Sequence, residues 1–369
     1  MKKILTLIFF ISFNTFAQNS NQLINWFAGG DLIGLSNSQD EMGSDFLIRE
    51  FELSAFSQID YIWQGSMTLA IHKEPASSHE AHTEIHEAFI FSNRVIPGTS
   101  IKMGRFFLGF GRLNRFHRHD WAISEAPEYH KEFFGDEAVI DDGIEISKIL
   151  PLDTYLKVTA GITSGNRFKD EHHEHEEGEE DHEEFEGAKA PTHYLRVASF
   201  KEFSTQKGLE YALNYIGRSD SEGNQFKFTG IDLVFKNRQA RTVKDLFQLE
   251  FWIRETNESG EDHAHQDQGG YFYYERGLNQ NHGLGLKVDF FIPHEHDHEG
   301  EEEHEHGYEI RHDYKEISLA YSYYNSEFMR TRITLSHASG IIIDEKNVEN
   351  TKLAFQTVFM IGAHPAHLY

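Results

Sequence analysis

The sequence has no cysteine and only 7 prolines in 369 residues, and beyond its first residues no apolar run is long enough to cross a bilayer as a helix. Without cysteine there is no disulfide scaffold, no thiolate metal site and no thiol nucleophile. Without long apolar runs a multi-helix membrane protein is excluded. Basic residues are scarce too: 34 Lys and Arg stand against 60 Asp and Glu, so the cationic footprint of a nucleic-acid binder is missing and no nucleic-acid partner is expected. No Gly-x-Ser-x-Gly nucleophile motif occurs, nor an acid/base pair at a diagnostic spacing, so the chain is not expected to be an enzyme. What the sequence does hold is aromatic side chains, 31 Phe, 15 Tyr and 4 Trp, together with 24 histidines.

The N-terminus gives the compartment. Lys2 and Lys3 precede the apolar run from Ile4 to Phe13, and Thr15 and Ala17 are small residues at the positions a signal peptidase reads. Residues 1–17 are therefore expected to be a signal peptide and 18–369 the mature chain.

The mature chain repeats with a period of two. Phe247, Leu249, Phe251 and Ile253 alternate with Gln248, Glu250, Trp252 and Arg254, and Ile317, Leu319, Tyr321 and Tyr323 alternate with Glu316, Ser318, Ala320 and Ser322. One face of each segment is apolar and the other polar, as in a β-strand. Sixteen such strands can be placed, near 24–35, 46–58, 63–73, 83–96, 99–108, 143–150, 154–164, 192–201, 208–217, 226–236, 245–255, 270–276, 282–292, 311–323, 328–337 and 351–362. Their connections alternate between short turns and long loops, among them 74–82, 109–142, 165–191, 256–269, 293–310 and 338–350. That asymmetry predicts an all-β, antiparallel transmembrane barrel in the outer membrane of a Gram-negative bacterium, surrounded by lipid, with the long loops outside. A homotrimer is compatible with this class.

The charge is concentrated where the topology puts the outer rim. Residues 170–186 carry eleven acids and 294–306 seven, without one Lys or Arg, which is 18 of the 26 excess negative charges. Both are low-complexity His/Glu tracts that bury too little apolar surface to fold alone. Sixteen of the 24 histidines fall in the long loops and five more at strand ends on the same rim, leaving His282, His364 and His367 on the other. Imidazole and carboxylate are ligands for borderline divalent cations. The candidate donors are His79, His82, Glu84, His86, His117, His119, Asp120, His172, His173, His175, His182, His263, His265, His294, His296, His298, His304 and His306. Zn²⁺, copper and nickel all suit imidazole, so these ligands do not by themselves decide which ion is bound or transported.

Two constellations stand out from the tracts. His82, Glu84 and His86 fall at i, i+2 and i+4, on one face of a strand. Because Ile85, Phe89 and Phe91 are expected on the lipid side, that face is expected to be the lumen. The second is the loop 109–142, where Arg112, Arg115 and Arg118 mix with His117, His119 and Asp120. It either lies over the rim or folds inward to narrow the channel; if inward, Glu50 and Glu52 are lumen carboxylates expected to neutralise the arginines.

The segment Gly104-Arg-Phe-Phe-Leu-Gly-Phe-Gly-Arg-Leu-Asn-Arg-Phe-His-Arg-His-Asp-Trp121 carries a resemblance. So do Lys131 to Asp136, the turn at Asp142-Gly143-Ile144-Glu145, and the ending Gly362-Ala-His-Pro-Ala-His-Leu-Tyr369. In these the chain resembles the zinc-regulated TonB-dependent outer membrane receptors, a porin-like group related to phosphate-selective porins. The resemblance implies expression under zinc limitation and a role in bringing zinc across the outer membrane. Only a short stretch precedes the first strand, with no room for a plug domain, so passage is expected to be diffusive. The alternative is a general or phosphate/anion-selective porin whose acidic loops are decoration.

Overall fold

The computed structural model describes residues 23–38, 44–73, 81–165, 168, 190–239, 242–260, 264–294, 313–343 and 346–362. The expected signal peptide lies outside the described residues, as do the donors His79, His172, His173, His175, His182, His263, His296, His298, His304 and His306.

Sixteen strands form one closed antiparallel barrel. They are β1 (Asn25–Asn37), β2 (Ser44–Gln58), β3 (Gln64–His72), β4 (His82–Ile96), β5 (Thr99–Phe107), β6 (Ile140–Ile149), β7 (Leu156–Thr163), β8 (Ala190–Ser204), β9 (Lys207–Ser219), β10 (Gln225–Gln239), β11 (Thr242–Asn257), β12 (Ala264–Gly277), β13 (His282–Ile292), β14 (Tyr314–Ser326), β15 (Met329–Ile343) and β16 (Lys346–Gly362). Each pairs with its sequence neighbours, and β1 closes the ring on β16 from Phe27↔Gly362 to Asn37↔Lys352. Closure leaves no edge strand, so no strand turns a row of unpaired N–H and C=O groups toward lipid.

The period of two becomes an inside-out molecule. Along β14, Ile317, Leu319 and Tyr321 face outward and are exposed, while Glu316, Ser318 and Ser322 are buried inside. Leu53, Leu69, Ile85, Ile146, Leu195, Leu213, Leu335 and Leu353 continue the outer apolar belt around the ring. A surface of this kind is untenable in water and stable in lipid. The chain is therefore an outer-membrane barrel.

Strand existence agrees with the sequence pattern, but some ends do not. The long loops expected at 256–269 and 338–350 are mostly strand: β11 and β12 pair as far as Asn257↔Ala264, and β15 and β16 as far as Ile343↔Lys346. These extensions stand above the lipid, where no apolar alternation is required, so the pattern could not mark them. The loop expected at 109–142 ends earlier, because β6 begins at Ile140.

Inside, the barrel is filled unevenly. The β5–β6 connection carries a 3₁₀ turn at Arg118–Asp120 and a helix, α1 (Glu128–Phe134), and it folds inward. Phe110, Tyr129, Phe133 and Phe134 form an aromatic core with Tyr194, Phe228, Trp252, Tyr271 and Phe291 of the wall. The half of the lumen lined by β1–β7 remains open.

Candidate metal path in the lumen

The inward loop is held at its neck, its back and its tip. At the neck the Asn114 amide donates to the carbonyls of Leu108 at 2.9 Å and Val139 at 3.3 Å, and its oxygen accepts from Val139 N at 2.6 Å. At the back, Glu250 accepts from Arg112 N at 3.0 Å, Leu113 N at 3.3 Å and the Trp252 indole at 2.9 Å. Gly111 adopts φ +60, and a Cβ there would lie 2.3 Å from the Glu250 carboxylate, so this approach needs glycine. α1 docks on the same wall: Glu128 N donates to Asp289 at 3.0 Å, and the Tyr129 and Tyr271 rings stack with centroids 6.3 Å apart.

With its back on β9–β13, the loop turns its tip toward β1–β4. Glu52 of β2 becomes a hub for three imidazoles: Nδ1 of His117 at 2.5 Å, Nδ1 of His86 at 3.2 Å and Nδ1 of His119 at 3.3 Å. The other nitrogen of His117 meets Glu87 at 3.3 Å, and Nε2 of His86 lies 3.5 Å from Glu137. Arg118 stands 3.0 Å from that same Glu137. Burial disfavours a charged imidazole at His117, but Glu52 and Glu87 outweigh it and hold the ring protonated well above the ordinary range.

The rings continue upward as a ladder. Centroid separations are 5.3 Å from His119 to His117, 6.4 Å to His86, 5.8 Å to His72 and 6.3 Å to His82 at the loop rim. Two donor sets lie along it. Glu50, Glu52, His117 and His119 each bring one ligand atom within 4.8 Å of the others, and so do His72, His86 and Glu137. Tetrahedral zinc with bonds near 2.1 Å sets its donors roughly 3.5 Å apart, so small side-chain rotations close either set on an ion. Oε2 of Glu50 and Nε2 of His86 receive no hydrogen bond although both side chains are buried, as suits groups facing a cation.

Below Glu52 the lumen opens into a cavity of about 710 Å³ that runs to Gln58 and Gln64 at the turn rim. Glu52 and Glu87 of β2 and β4 with His117 and His119 of the loop line one part, and Lys102, Lys157 and Arg196 of β5, β7 and β8 with Arg115 of the loop line the adjoining basic wall, Glu145 among them.

Three of the expected donors fall in these sets, His86, His117 and His119, and His82 only meets the ring of His72 at the rim. Asp120 flanks them, its carboxylate 3.7 Å from His119. Glu84 belongs to neither donor set. His265 and His294 lie apart on the rim, with rings 4.5 Å from each other and Glu258 3.9 Å from His265. The expected triad along one strand is replaced by a set across strands. Phe89 and Phe91 also depart from expectation: both line the cavity instead of meeting lipid. A bulge explains it, since Thr68 pairs with Glu87 but Leu69 with Ile85, leaving His86 as an extra residue that reverses the parity beyond it. Glu50 and Glu52 do face the lumen, but Glu52 meets imidazoles instead of the arginines. Of those, Arg115 pairs with Glu210 at 3.0 Å. His72, Glu87 and Glu137 join the site from outside the expected donors; for His72 and Glu87 the cross-strand register brings them in.

No family model matches the chain. A curated relative from Aquifex aeolicus, described as an uncharacterized protein, is 24% identical over 313 residues, which is 78% of this chain and 64% of the relative. The chain thus spans a little under two thirds of that relative's length. Among solved structures it is similar to OprB of Pseudomonas putida (TM-score 0.59, 9% identity, 92% of this chain and 94% of that one). It is also similar to the anion-selective porin of Comamonas acidovorans (0.57, 9%, 92% and 100%). A third is OmpT of Vibrio cholerae in its trimer form (0.55, 7%, 92% and 99%). At these identities the likeness concerns the fold, that of a porin-like outer-membrane barrel.

Proposed function

We propose that this barrel is a porin-like channel that passes a divalent cation, zinc in the first place, into the periplasm by diffusion. The observation that carries the reading is the Glu52 hub: one buried carboxylate touched by three imidazoles, at the point where the rim ladder meets the open cavity. Weak sites in series, close enough for an ion to be passed from one to the next, let a cation both enter and leave. With the long loops outside, the acidic His-rich tracts raise the cation concentration at the mouth. The resemblance of 104–121 to zinc-regulated receptors supports the same cargo. A homotrimer, the form in which OmpT has been described, suits the barrel.

Planar-bilayer recordings test this. The expected result is a cation-preferring current that micromolar Zn²⁺ partly blocks, with the block relieved by His117→Ala plus His119→Ala. Anion preference together with indifference to zinc would overturn it. A second reading, an anion-selective porin, draws on the basic wall of Lys102, Arg115, Lys157 and Arg196.

A further inference from the structure

The basic wall is not simply the counter-charge of the acidic one. Arg196 bonds to Asp232 at 2.8 Å and Glu210 at 2.9 Å, yet its Nε has no hydrogen-bond partner and the side chain is buried. Lys102 lies 3.8 Å from Glu145, beyond a direct hydrogen bond, and rests over the rings of Phe89 and Phe106. Lys157 lines the same space. A cavity of about 710 Å³ holds a small organic molecule, since such sites span roughly 300–1,000 Å³. A bare ion needs far less room. It also needs no cationic wall, which would repel it.

Resting on the channel reading above, we propose that the cargo is a divalent metal carried with an anionic oxygen-donor ligand of the small polycarboxylate class. The metal faces Glu52, His117 and His119, and the ligand's free carboxylate oxygens face Lys102, Lys157 and Arg196. Each partner neutralises the wall that would repel the other. Metal and anion then bind with positive coupling, and by linkage the factor is the same in both directions.

The experiment uses the full chain in planar bilayers, with Zn²⁺ alone, citrate alone and the two together. Total zinc is raised in the mixture until a fluorescent indicator reports the same free zinc. With citrate present, the midpoint of zinc block should fall by about tenfold in free zinc, within the usual range of coupling between sites. In Lys102→Gln with Lys157→Gln the citrate-induced shift should vanish, while zinc alone should still block, at the same or a lower midpoint because two repelling charges are gone. Should that double variant fail to assemble, zinc must raise citrate affinity by the same factor in the unaltered protein. An unchanged midpoint with and without citrate would overturn the inference and leave the cation channel standing. Absence of any zinc block would remove the channel reading itself, and a citrate block indifferent to zinc would then mark a plain anion site.

Discussion

His117 at the tip of the inward loop and Glu52 on β2 are joined at 2.5 Å, across 65 residues of sequence. The contact couples a titrating ring to the position of the loop.

Raising the pH should loosen this tip. The folded imidazole of His117 titrates well above its ordinary value of 6.5, so the ion pair's contribution is fully present below that value and is lost as pH rises through the folded one. Hydrogen exchange across 113–121 should accelerate from neutral to alkaline pH in metal-free protein, and Glu52→Gln should remove the pH dependence. Zinc affinity should keep rising above pH 6.5, because the ion displaces a proton held there. A plateau by pH 6.5 would contradict the assignment.

His130, thirteen residues along the same loop, should respond in the opposite sense. Burial depresses its ring to about 4. The contribution is present above pH 6.5 and declines as the pH falls toward 4, by about 3 kcal/mol in all. α1 should therefore lose exchange protection in acid before the barrel ladder does, and His130→Phe should blunt that loss.

Glu250→Ala should free the loop's back. Three buried donors lose their acceptor, each at roughly 1–3 kcal/mol. The variant should still migrate as a heat-modifiable barrel, with faster proteolysis within 108–139 and a larger single-channel conductance. Unchanged conductance would show that the aromatic core alone holds the loop.

Deleting 170–186 and 294–306 together should leave assembly intact, because the sixteen strands of the barrel are complete without either tract. Zinc block should then need a higher bulk concentration, while the block at saturating zinc persists. Loss of the barrel from membranes would show that the tracts are structural.

The sixteen strands were legible because lipid on one side and a polar lumen on the other force alternation residue by residue. Where that pressure ends, so does the signal, as in the paired extensions of β11–β12 and β15–β16. The site was half legible. His86, His117 and His119 were marked by spacing and composition, and Glu50 and Glu52 by their place on the lumen face of β2. Their gathering around Glu52 depends on how deep one loop descends. That depth is set by remote partners such as Asn114 with Val139 and Tyr129 with Tyr271, which no local pattern encodes.

The bulge in β4 has a meaning for how crowded with ligands a barrel wall can be. A regular strand offers the lumen one side chain about every 6.8 Å, twice the rise per residue. With one residue inserted, His86 and Glu87 both reach inward, so neighbouring positions serve the same path. Deleting His86 would restore the regular pleat with Glu87, Phe89 and Phe91 still facing inward, and would cost the path one of its two adjacent ligands. The irregularity is thus a device for doubling local donor density within an otherwise regular ladder.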